Sequence, residues 1–124
     1  MPKIRHLAIK TKNPARLAEF YAQVFDMKVV HSEKSGAVYM SDGYLTLAIL
    51  RNRGEATPSG INHFGFQVDD LAETQRRIEA AGGKFFFDLG DERHGNFERK
   101  FKDPDGVIFD ISKHGWQGTD GYKK

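Results

Sequence analysis

The two halves of this chain follow the same order of predicted elements, and this repeat constrains the fold more than any other sequence feature. Ile4-Arg-His6 opens the first half, and Ile61-Asn-His63 opens the second. Asp42-Gly43 and Asp105-Gly106 stand before the last predicted strand of each half. One helix on one small sheet buries too little apolar surface to be stable alone. The repeat therefore predicts two tandem βαβββ modules that fold against each other.

The first module, residues 3–50, is predicted as a strand, a helix and three short strands. Residues 3–11 alternate between two faces, as a half-buried strand does. Asn13-Pro14 indicates a helix start, with Asn13 as N-cap and Pro14 in the first helical position. Apolar residues at helical spacing predict one stripe along this helix: Leu17, Phe20, Tyr21, Val24 and Phe25. The other strands are predicted at 27–31, 37–40 and 44–50.

A polar connector, residues 51–60, leads to the second module, residues 61–114. Asp70-Leu-Ala-Glu73 has the form of a capping box at a helix start, and Gly82-Gly83 ends that helix. The strands of this module are predicted at 61–68, 85–88, 97–102 and 107–112. The sequence thus predicts one α+β domain, residues 1–114, followed by a C-terminal tail, residues 115–124.

Strand alternation divides the residues of each predicted sheet between two faces. In the first strand, Leu7 and Ile9 point to one face of the sheet and His6 points to the other face. His63 and Asp110 likewise lie opposite the apolar residues of their own strands. Two arrangements give this pattern. Either the polar face is in contact with solvent, or the mixed sheets curve into a cup that encloses a metal or ligand site, with the helices outside.

Charge and composition exclude several classes of function. Nineteen Lys and Arg residues nearly balance 17 Asp and Glu residues, without a basic stripe, so no nucleic-acid partner is expected. No apolar run reaches the roughly 18 residues that a membrane helix needs, so no membrane partner is expected. The absence of Cys excludes disulfides and thiolate ligands and is typical of a reducing compartment. A cytoplasmic location is therefore expected.

His6, His63 and Asp110 are candidate ligands of a metal ion. Two imidazoles and a carboxylate from three strands can bind a divalent ion such as Fe, Mn, Ni, Co or Zn. Three protein ligands leave positions open for water and a chelating substrate, as a catalytic site requires. Isolated histidines are also common on surfaces and in cores, so spacing alone leaves that alternative open. A carboxylate between Phe109 and Ile111 needs a partner if it is buried, and Asp110 is therefore the stronger indication.

Three motifs, in this order, resemble the vicinal oxygen chelate superfamily, which includes glyoxalases, bleomycin-resistance proteins and extradiol dioxygenases. They are Ile4-Arg-His6-Leu-Ala-Ile with Ala18-Glu-Phe20-Tyr21, then Asn62-His63-Phe-Gly-Phe, then Asp103-Pro-Asp-Gly106-Val-Ile-Phe-Asp110. The resemblance covers residues 3–114. It implies that His6, His63 and Asp110 bind one divalent metal ion, with Fe(II) or Mn(II) favoured and Ni, Co or Zn also suitable. It also implies a homodimer, because family members commonly pair modules between chains.

Two departures from the family pattern narrow the expected chemistry. The last ligand of the family is usually Glu, whereas Asp110 is shorter by one methylene, roughly 1.5 Å. A metal must therefore lie closer to that strand or be held more weakly. Glyoxalase I and methylmalonyl-CoA epimerase have a fourth ligand where this chain has Leu47 or Ala48, which cannot coordinate. The four-ligand chemistry of those isomerases is disfavoured.

The resemblance favours a metal-dependent enzyme of dioxygenase or lyase type that acts on a small oxygen-chelating substrate. Extradiol dioxygenases use two His and one carboxylate, with a nearby His as acid–base catalyst. His94, in Glu92-Arg-His94, is the candidate for that catalytic role, and an exposed loop histidine is the alternative. Lys100 stands where these enzymes are expected to have Tyr.

Several alternatives stay open. Fosfomycin-resistance thiol transferases share the ligand set, but Ala8 stands where they have Thr. Bleomycin-resistance proteins bind a basic drug in an acidic cleft without a metal, and the isoelectric point near 8.9 argues against that function. The tail covers the cup, joins a dimer interface or is disordered. Six aromatic residues line a pocket or fill the core: Tyr39, Phe85, Phe86, Phe87, Phe97 and Phe101.

Overall fold

The structure is a computed structural model that describes residues 1–54 and 58–124. The predicted connector 51–60 includes Glu55, Ala56 and Thr57, which lie outside the described residues. The elements are β1 (Lys3–Thr11), α1 (Pro14–Phe25), β2 (Lys28–Ser32), β3 (Val38–Ser41), β4 (Thr46–Arg51), β5 (Gly60–Gln67), α2 (Leu71–Ala80), β6 (Lys84–Leu89), β7 (Glu98–Lys102) and β8 (Ile108–Ser112). Their order is the predicted one, and each strand bound lies within two residues of its prediction.

Both helices begin at the predicted caps. The Asn13 side chain accepts a hydrogen bond from the backbone N–H of Arg16, and Pro14 occupies the first turn of α1. The Asp70 side chain accepts one from the N–H of Glu73 at the start of α2. These bonds satisfy N–H groups that have no partner within a helix. In the described part of the chain, neither helix is long and apolar enough to cross a membrane.

One mixed sheet contains all eight strands, in the order β2-β3-β4-β1-β5-β8-β7-β6. β1 runs parallel to β4, and β5 runs parallel to β8. The two halves join at the centre, where β1 and β5 pair antiparallel. The sequence predicts a sheet for each module; the structure joins them into one, because β1 and β5 each have a free edge toward the other. The α+β class is confirmed.

Each half of the sheet has its own apolar core against its helix. In the first half, Leu7 and Ile9 pack with Ala18 of α1 and with Met40. In the second half the cluster consists of Val68, Leu71, Phe97, Phe101 and Ile111, with Phe66, Ile78 and Phe109 packed against it. These residues lie on the strand faces that alternation assigns to the helices. The opposite face is therefore free to carry polar groups.

The predicted apolar stripe on α1 is only partly correct. Leu17 and Tyr21 pack against the core, but Phe20, Val24 and Phe25 are exposed, Phe25 by 63%. The helix instead buries Pro14 and Ala18. Phe20 and Val24 lie to one side of the face that carries Ala18. Phe25 lies in the last turn and stacks on Tyr21, with ring centroids 6.3 Å apart.

Candidate metal centre

Strand register places four residues in one row across the sheet. His6 of β1 is opposite Gly65 of β5. Gly65 is opposite Asp110 of β8, and Asp110 is opposite Lys100 of β7. His63 lies two residues before Gly65 and therefore on the same face. The topology thus brings together three strands that are far apart in sequence, with a fourth contributing Lys100.

The three predicted ligands lie together on this face of the sheet. The Nε2 atoms of His6 and His63 are 3.3 and 3.4 Å from the same atom, Oδ2 of Asp110. One ligand atom from each residue lies within 4.8 Å of the other two. All three residues are buried, and Asp110 is completely inaccessible. The structure therefore brings together all three residues that the sequence proposes as ligands.

The unpaired atoms of this group suit a divalent metal. Both ring nitrogens of His6 and Oδ2 of Asp110 are buried and have no hydrogen-bond partner among the described residues. An unpaired buried polar atom costs about 1–3 kcal/mol. Two imidazole nitrogens and one carboxylate oxygen are typical ligands of Fe, Mn, Co, Ni or Zn. The donor set of His6, His63 and Asp110 therefore fits the metal that the sequence resemblance implies.

A neighbouring amide orients His63 toward the centre. Nδ1 of His63 lies 2.8 Å from the side-chain oxygen of Asn62, which can only accept a hydrogen bond. This contact favours the tautomer with the proton on Nδ1, so the lone pair of Nε2 points at Asp110 and at any metal. Burial lowers the pKa of His63 to about 4, and nearby Lys100 and His6 add to the shift while Asp110 opposes it. The metal-free ring is therefore neutral at pH 7.

Lys100 provides a positive charge inside the centre. Its Nζ donates to Oδ1 of Asp110 at 2.8 Å and lies 3.5 Å from Nε2 of His63. Burial alone would raise the pKa of Asp110, but contacts with His6, Lys100 and His63 outweigh burial and lower that pKa. Asp110 is therefore an anion, with Oδ1 against Lys100 and Oδ2 against the two imidazoles.

Glu98 and Trp116 both lie in contact with the imidazole of His6. Oε2 of Glu98 lies 3.6 Å from Nε2 of His6 and accepts a hydrogen bond from the indole N–H of Trp116 at 2.5 Å. The indole ring stacks on the imidazole of His6, with centroids 4.9 Å apart and planes 8° apart. Gly65 leaves the space for this ring, because a Cβ there would lie 2.7 Å from it.

The C-terminal tail is packed against the sheet around Trp116. The hydroxyl of Thr46 donates to the carbonyl of Gln117 at 2.7 Å, and that of Ser41 donates to the carbonyl of Gly118 at 2.9 Å. The side-chain amide of Gln67 donates to the carbonyl of Gly121 at 2.6 Å. Of the three alternatives for the tail, the structure supports a segment that covers part of the site.

Two cavities adjoin the centre. A cavity of about 260 Å³ lies against His6, His63 and Lys100, and Tyr39, Phe86 and Phe87 also line it. A larger one of about 560 Å³ lies on the other side of Glu98 and Tyr39, beside Trp116. Of the six aromatic residues, Phe101 fills the core, and Phe97 packs in the core and also lines the larger cavity. Phe85 is exposed on the edge strand β6. Burial and Glu33 raise the pKa of Tyr39 to about 12, so its hydroxyl remains a donor.

His94 lies away from this group. It is in the loop between β6 and β7, its side chain is 69% exposed, and its Nε2 is 3.8 Å from Asp91. His94 is not among the residues that line either cavity beside the centre. Besides the two histidines, the polar residues that line the cavity next to the ligands are Lys10, Tyr39, Asn62, Glu98 and Lys100.

Comparison with known proteins adds the evolutionary context of this centre. The chain is 26% identical to a probable chloroplastic lactoylglutathione lyase of Arabidopsis thaliana over 91% of its own length and 36% of the relative. It is 25% identical to glyoxalase I of Saccharomyces cerevisiae over 91% of its length and 44% of the relative. The chain thus spans less than half the length of these relatives.

Solved structures share the fold at low identity. The 2,3-dioxygenase LapB from Pseudomonas sp. KL28 matches with a TM-score of 0.72 and 20% identity, over 96% of this chain and 43% of that one. A methylmalonyl-CoA epimerase from Mycobacterium tuberculosis matches with a TM-score of 0.67 and 17% identity, over 87% and 85%. The family model of the Glyoxalase/Bleomycin resistance protein/Dioxygenase superfamily matches residues 3–111. The chain belongs to this superfamily.

Proposed function

We propose that this chain is a divalent-metal-dependent enzyme of dioxygenase or lyase type that acts on a small oxygen-chelating substrate. One observation carries the proposal: His6, His63 and Asp110 present one ligand atom each within 4.8 Å of one another, in a buried group that adjoins a cavity. Fe(II) or Mn(II) suits this donor set best, and Ni, Co or Zn are also suitable. As part of this proposal, the two halves are modules whose joined sheet curves around the site.

The chemistry expected of a bound metal is Lewis-acid polarisation of substrate oxygens at the positions that the protein leaves open. The residues around it have separate tasks. Lys100 places an ammonium where a substrate oxyanion can accept a hydrogen bond. Glu98, held by Trp116, is a carboxylate able to take a proton from the substrate. Tyr39 lines the cavity with a neutral hydroxyl that donates to Glu33 at 3.3 Å, and Phe86 and Phe87 exclude water from one side of the cavity.

The surroundings of the ligands favour a three-ligand centre. Ala48 lines the cavity beside His6 but has no donor atom, and Leu47 packs in the apolar core. Glu98, the other carboxylate near His6, accepts hydrogen bonds from Trp116 and Lys100 and does not belong to the group of candidate ligands. These positions support dioxygenase chemistry more than that of the four-ligand isomerases. The identity to lactoylglutathione lyases keeps a lyase reaction in the proposal.

A metal-free small-molecule binding protein is the second candidate. The observation that favours it is the ammonium of Lys100, 2.8 Å from Asp110, which already neutralises the carboxylate without a metal. In that case the two cavities would bind a ligand, and His6 and His63 would be polar wall residues. A thiol transferase of the fosfomycin-resistance type is the remaining alternative with a metal.

Metal content separates the two candidates. The purified chain should bind one equivalent of Fe(II) or Mn(II), measured by elemental analysis after reconstitution, and His63→Ala should lose it. His31→Ala, which changes a half-exposed histidine outside the ligand group, is the matched control. If the unchanged chain binds less than a tenth of an equivalent, the metal-dependent function is wrong.

Assays of the metal-loaded protein with several substrates determine the class of reaction. Oxygen uptake with catechols supports the dioxygenase version. Activity on the hemithioacetal of glutathione supports the lyase version, and activity on an epoxide with a thiol supports the transferase. His94→Gln should reduce turnover at least tenfold if His94 is the acid–base catalyst, and Glu98→Gln should do so if Glu98 has that role.

The proposal also includes the expected partners and location. A homodimer is proposed, and the exposed apolar residues of α1, Phe20, Val24 and Phe25, are available for such a contact. Light scattering on the purified chain tests it, because a monomer mass contradicts it directly. A cytoplasmic location is proposed as well, and fractionation of the source cells tests it.

A further inference from the structure

The ammonium of Lys100 lies where a cation is expected in this centre. Its Nζ is 2.8 Å from Oδ1 of Asp110, 3.5 Å from Nε2 of His63 and 3.4 Å from Oε1 of Glu98. The Lys100 side chain is almost fully buried. A buried ammonium requires close partners of this kind, because leaving water without them is costly. In the metal-free protein, Lys100 is therefore the cation that balances Asp110.

The two contacts of Lys100 with the ligands differ in what a metal would do to them. Asp110 has two oxygens, and Lys100 uses Oδ1 while the imidazoles face Oδ2. A metal at Oδ2 can leave the bond to Oδ1 in place. The lone pair of His63 Nε2, in contrast, can point at only one cation. Lys100 and a metal therefore compete for His63 and share Asp110.

We propose that Lys100 is a built-in competitor of the divalent metal, whose ammonium must withdraw from His63 before the metal binds. This inference rests on the proposed metal-binding function of the centre. Repulsion adds to the competition, since the ammonium remains close to the divalent ion in a site with little water. The consequence is a site that folds and stays neutralised without metal, and that binds its metal weakly enough to exchange it.

The test is the affinity of the metal-free full chain for Mn²⁺, measured by calorimetry. Lys100→Met removes the ammonium and keeps an unbranched side chain of similar length. It should bind Mn²⁺ about 10- to 100-fold more tightly than the unchanged chain, as expected for the loss of a charge-assisted contact. Lys102→Met is the matched control. It removes the same charge from the same strand, but Lys102 is exposed, with its Nζ 4.4 Å from the ring centre of Phe86.

The affinity of the Lys102→Met variant should stay within threefold of the unchanged chain. Lys100→Arg, which keeps the charge, should bind no more tightly than the unchanged chain. If Lys100→Met does not fold, as judged by circular dichroism, Lys100→Gln replaces it with the same expectation.

The outcomes separate this proposal from the proposed function. If both chains bind Mn²⁺ and Lys100→Met binds it equally or less tightly, the competition is wrong and the metal-dependent function stands. If only Lys100→Met binds Mn²⁺, the competition is supported and the metal-dependent function of the unchanged chain is wrong. If neither chain binds Mn²⁺, both proposals are wrong.

Discussion

The imidazole of His6 and the indole of Trp116 lie face to face, 4.9 Å apart and within 8° of parallel. His6 belongs to β1, whereas Trp116 belongs to the tail that follows β8. The same indole donates its N–H to Glu98. One tail residue therefore fixes the orientation of a candidate ligand and of a carboxylate beside it.

Replacing Trp116 should separate packing from hydrogen bonding. Trp116→Ala should lower the free energy of unfolding by about 3 kcal/mol, because a large buried side chain is removed. Trp116→Phe keeps a smaller aromatic ring on His6 and loses the N–H donor and part of the buried ring, so a loss of about 1–2 kcal/mol is expected. Urea unfolding followed by circular dichroism measures both. Equal losses for the two variants would show that the stacked ring contributes nothing.

The single Trp of the chain should report metal binding directly. Trp116 stacks on a candidate ligand, so Co²⁺ at the centre should quench its fluorescence through close contact. A saturable loss of emission is expected on titration, with recovery when EDTA is added. His63→Ala should abolish the saturable phase while keeping the starting emission. Quenching that is unchanged in this variant would place the ion elsewhere.

Lys100 and Asp110 should be strongly coupled in the metal-free protein. Asp110→Asn leaves a buried ammonium without its carboxylate, and Lys100→Met leaves a buried carboxylate without its ammonium. Each single change should cost about 3–5 kcal/mol of unfolding free energy. The double variant should cost less than the sum of the two, since neither charge remains unpaired. Additive losses in a denaturant-unfolding cycle would contradict direct pairing of the two groups.

Acid should destabilise the metal-free protein in a window set by His63. Its pKa is about 4 in the folded chain, against an ordinary value near 6.5. Between these values the unfolded chain binds a proton that the folded chain does not, so stability falls as the pH is lowered. The total loss by pH 4 is about 3 kcal/mol. His63→Gln should show a smaller loss between pH 6.5 and 4 in urea unfolding. The lowered pKa of Asp110 reduces the stability further only at a pH below 3.8, the ordinary pKa of this carboxyl.

Gly65 should tolerate no side chain while Trp116 is present. A Cβ there would lie 2.7 Å from the indole and 3.2 Å from the ring of His6. Gly65→Ala should therefore cost about 1–3 kcal/mol through displacement of the two rings. The double variant Gly65→Ala/Trp116→Ala should cost less than the sum of its parts in unfolding experiments. A fully additive loss would mean that the strain of Gly65→Ala arises somewhere other than at Trp116.

Alternation along strands places the three candidate ligands on one face, and the family motifs select them among the residues of that face. His6, His63 and Asp110 each interrupt an apolar alternation, and the same rule places Glu98 and Lys100 on the face opposite Phe97 and Phe101. The contact between Lys100 and Asp110 was not predictable, because it depends on the register of β7 against β8. Such a register is fixed by turns and by cores on the far side of the sheet, and a local pattern does not contain it.

Other expectations failed or stayed open for similar reasons. The stripe on α1 was overestimated because helical spacing identifies apolar positions without saying how much of the helix surface the sheet covers. Trp116 was unassigned because no periodic pattern covers the tail, although a single Trp close to a polar segment was a usable signal. His94 remains a prediction, since a loop residue has no alternation to place it.

The position of Trp116 also bears on how such a protein can diverge. The family model matches residues 3–111, so Trp116 lies just beyond the residues that the model matches. The candidate ligands come from the inner strands β1, β5 and β8, while the ring that covers His6 comes from a peripheral segment. Mutations in that segment change the wall of the larger cavity without changing the strands that carry the candidate ligands. Under the proposed function, substrate preference can therefore vary at the edge of this fold independently of the ligand set.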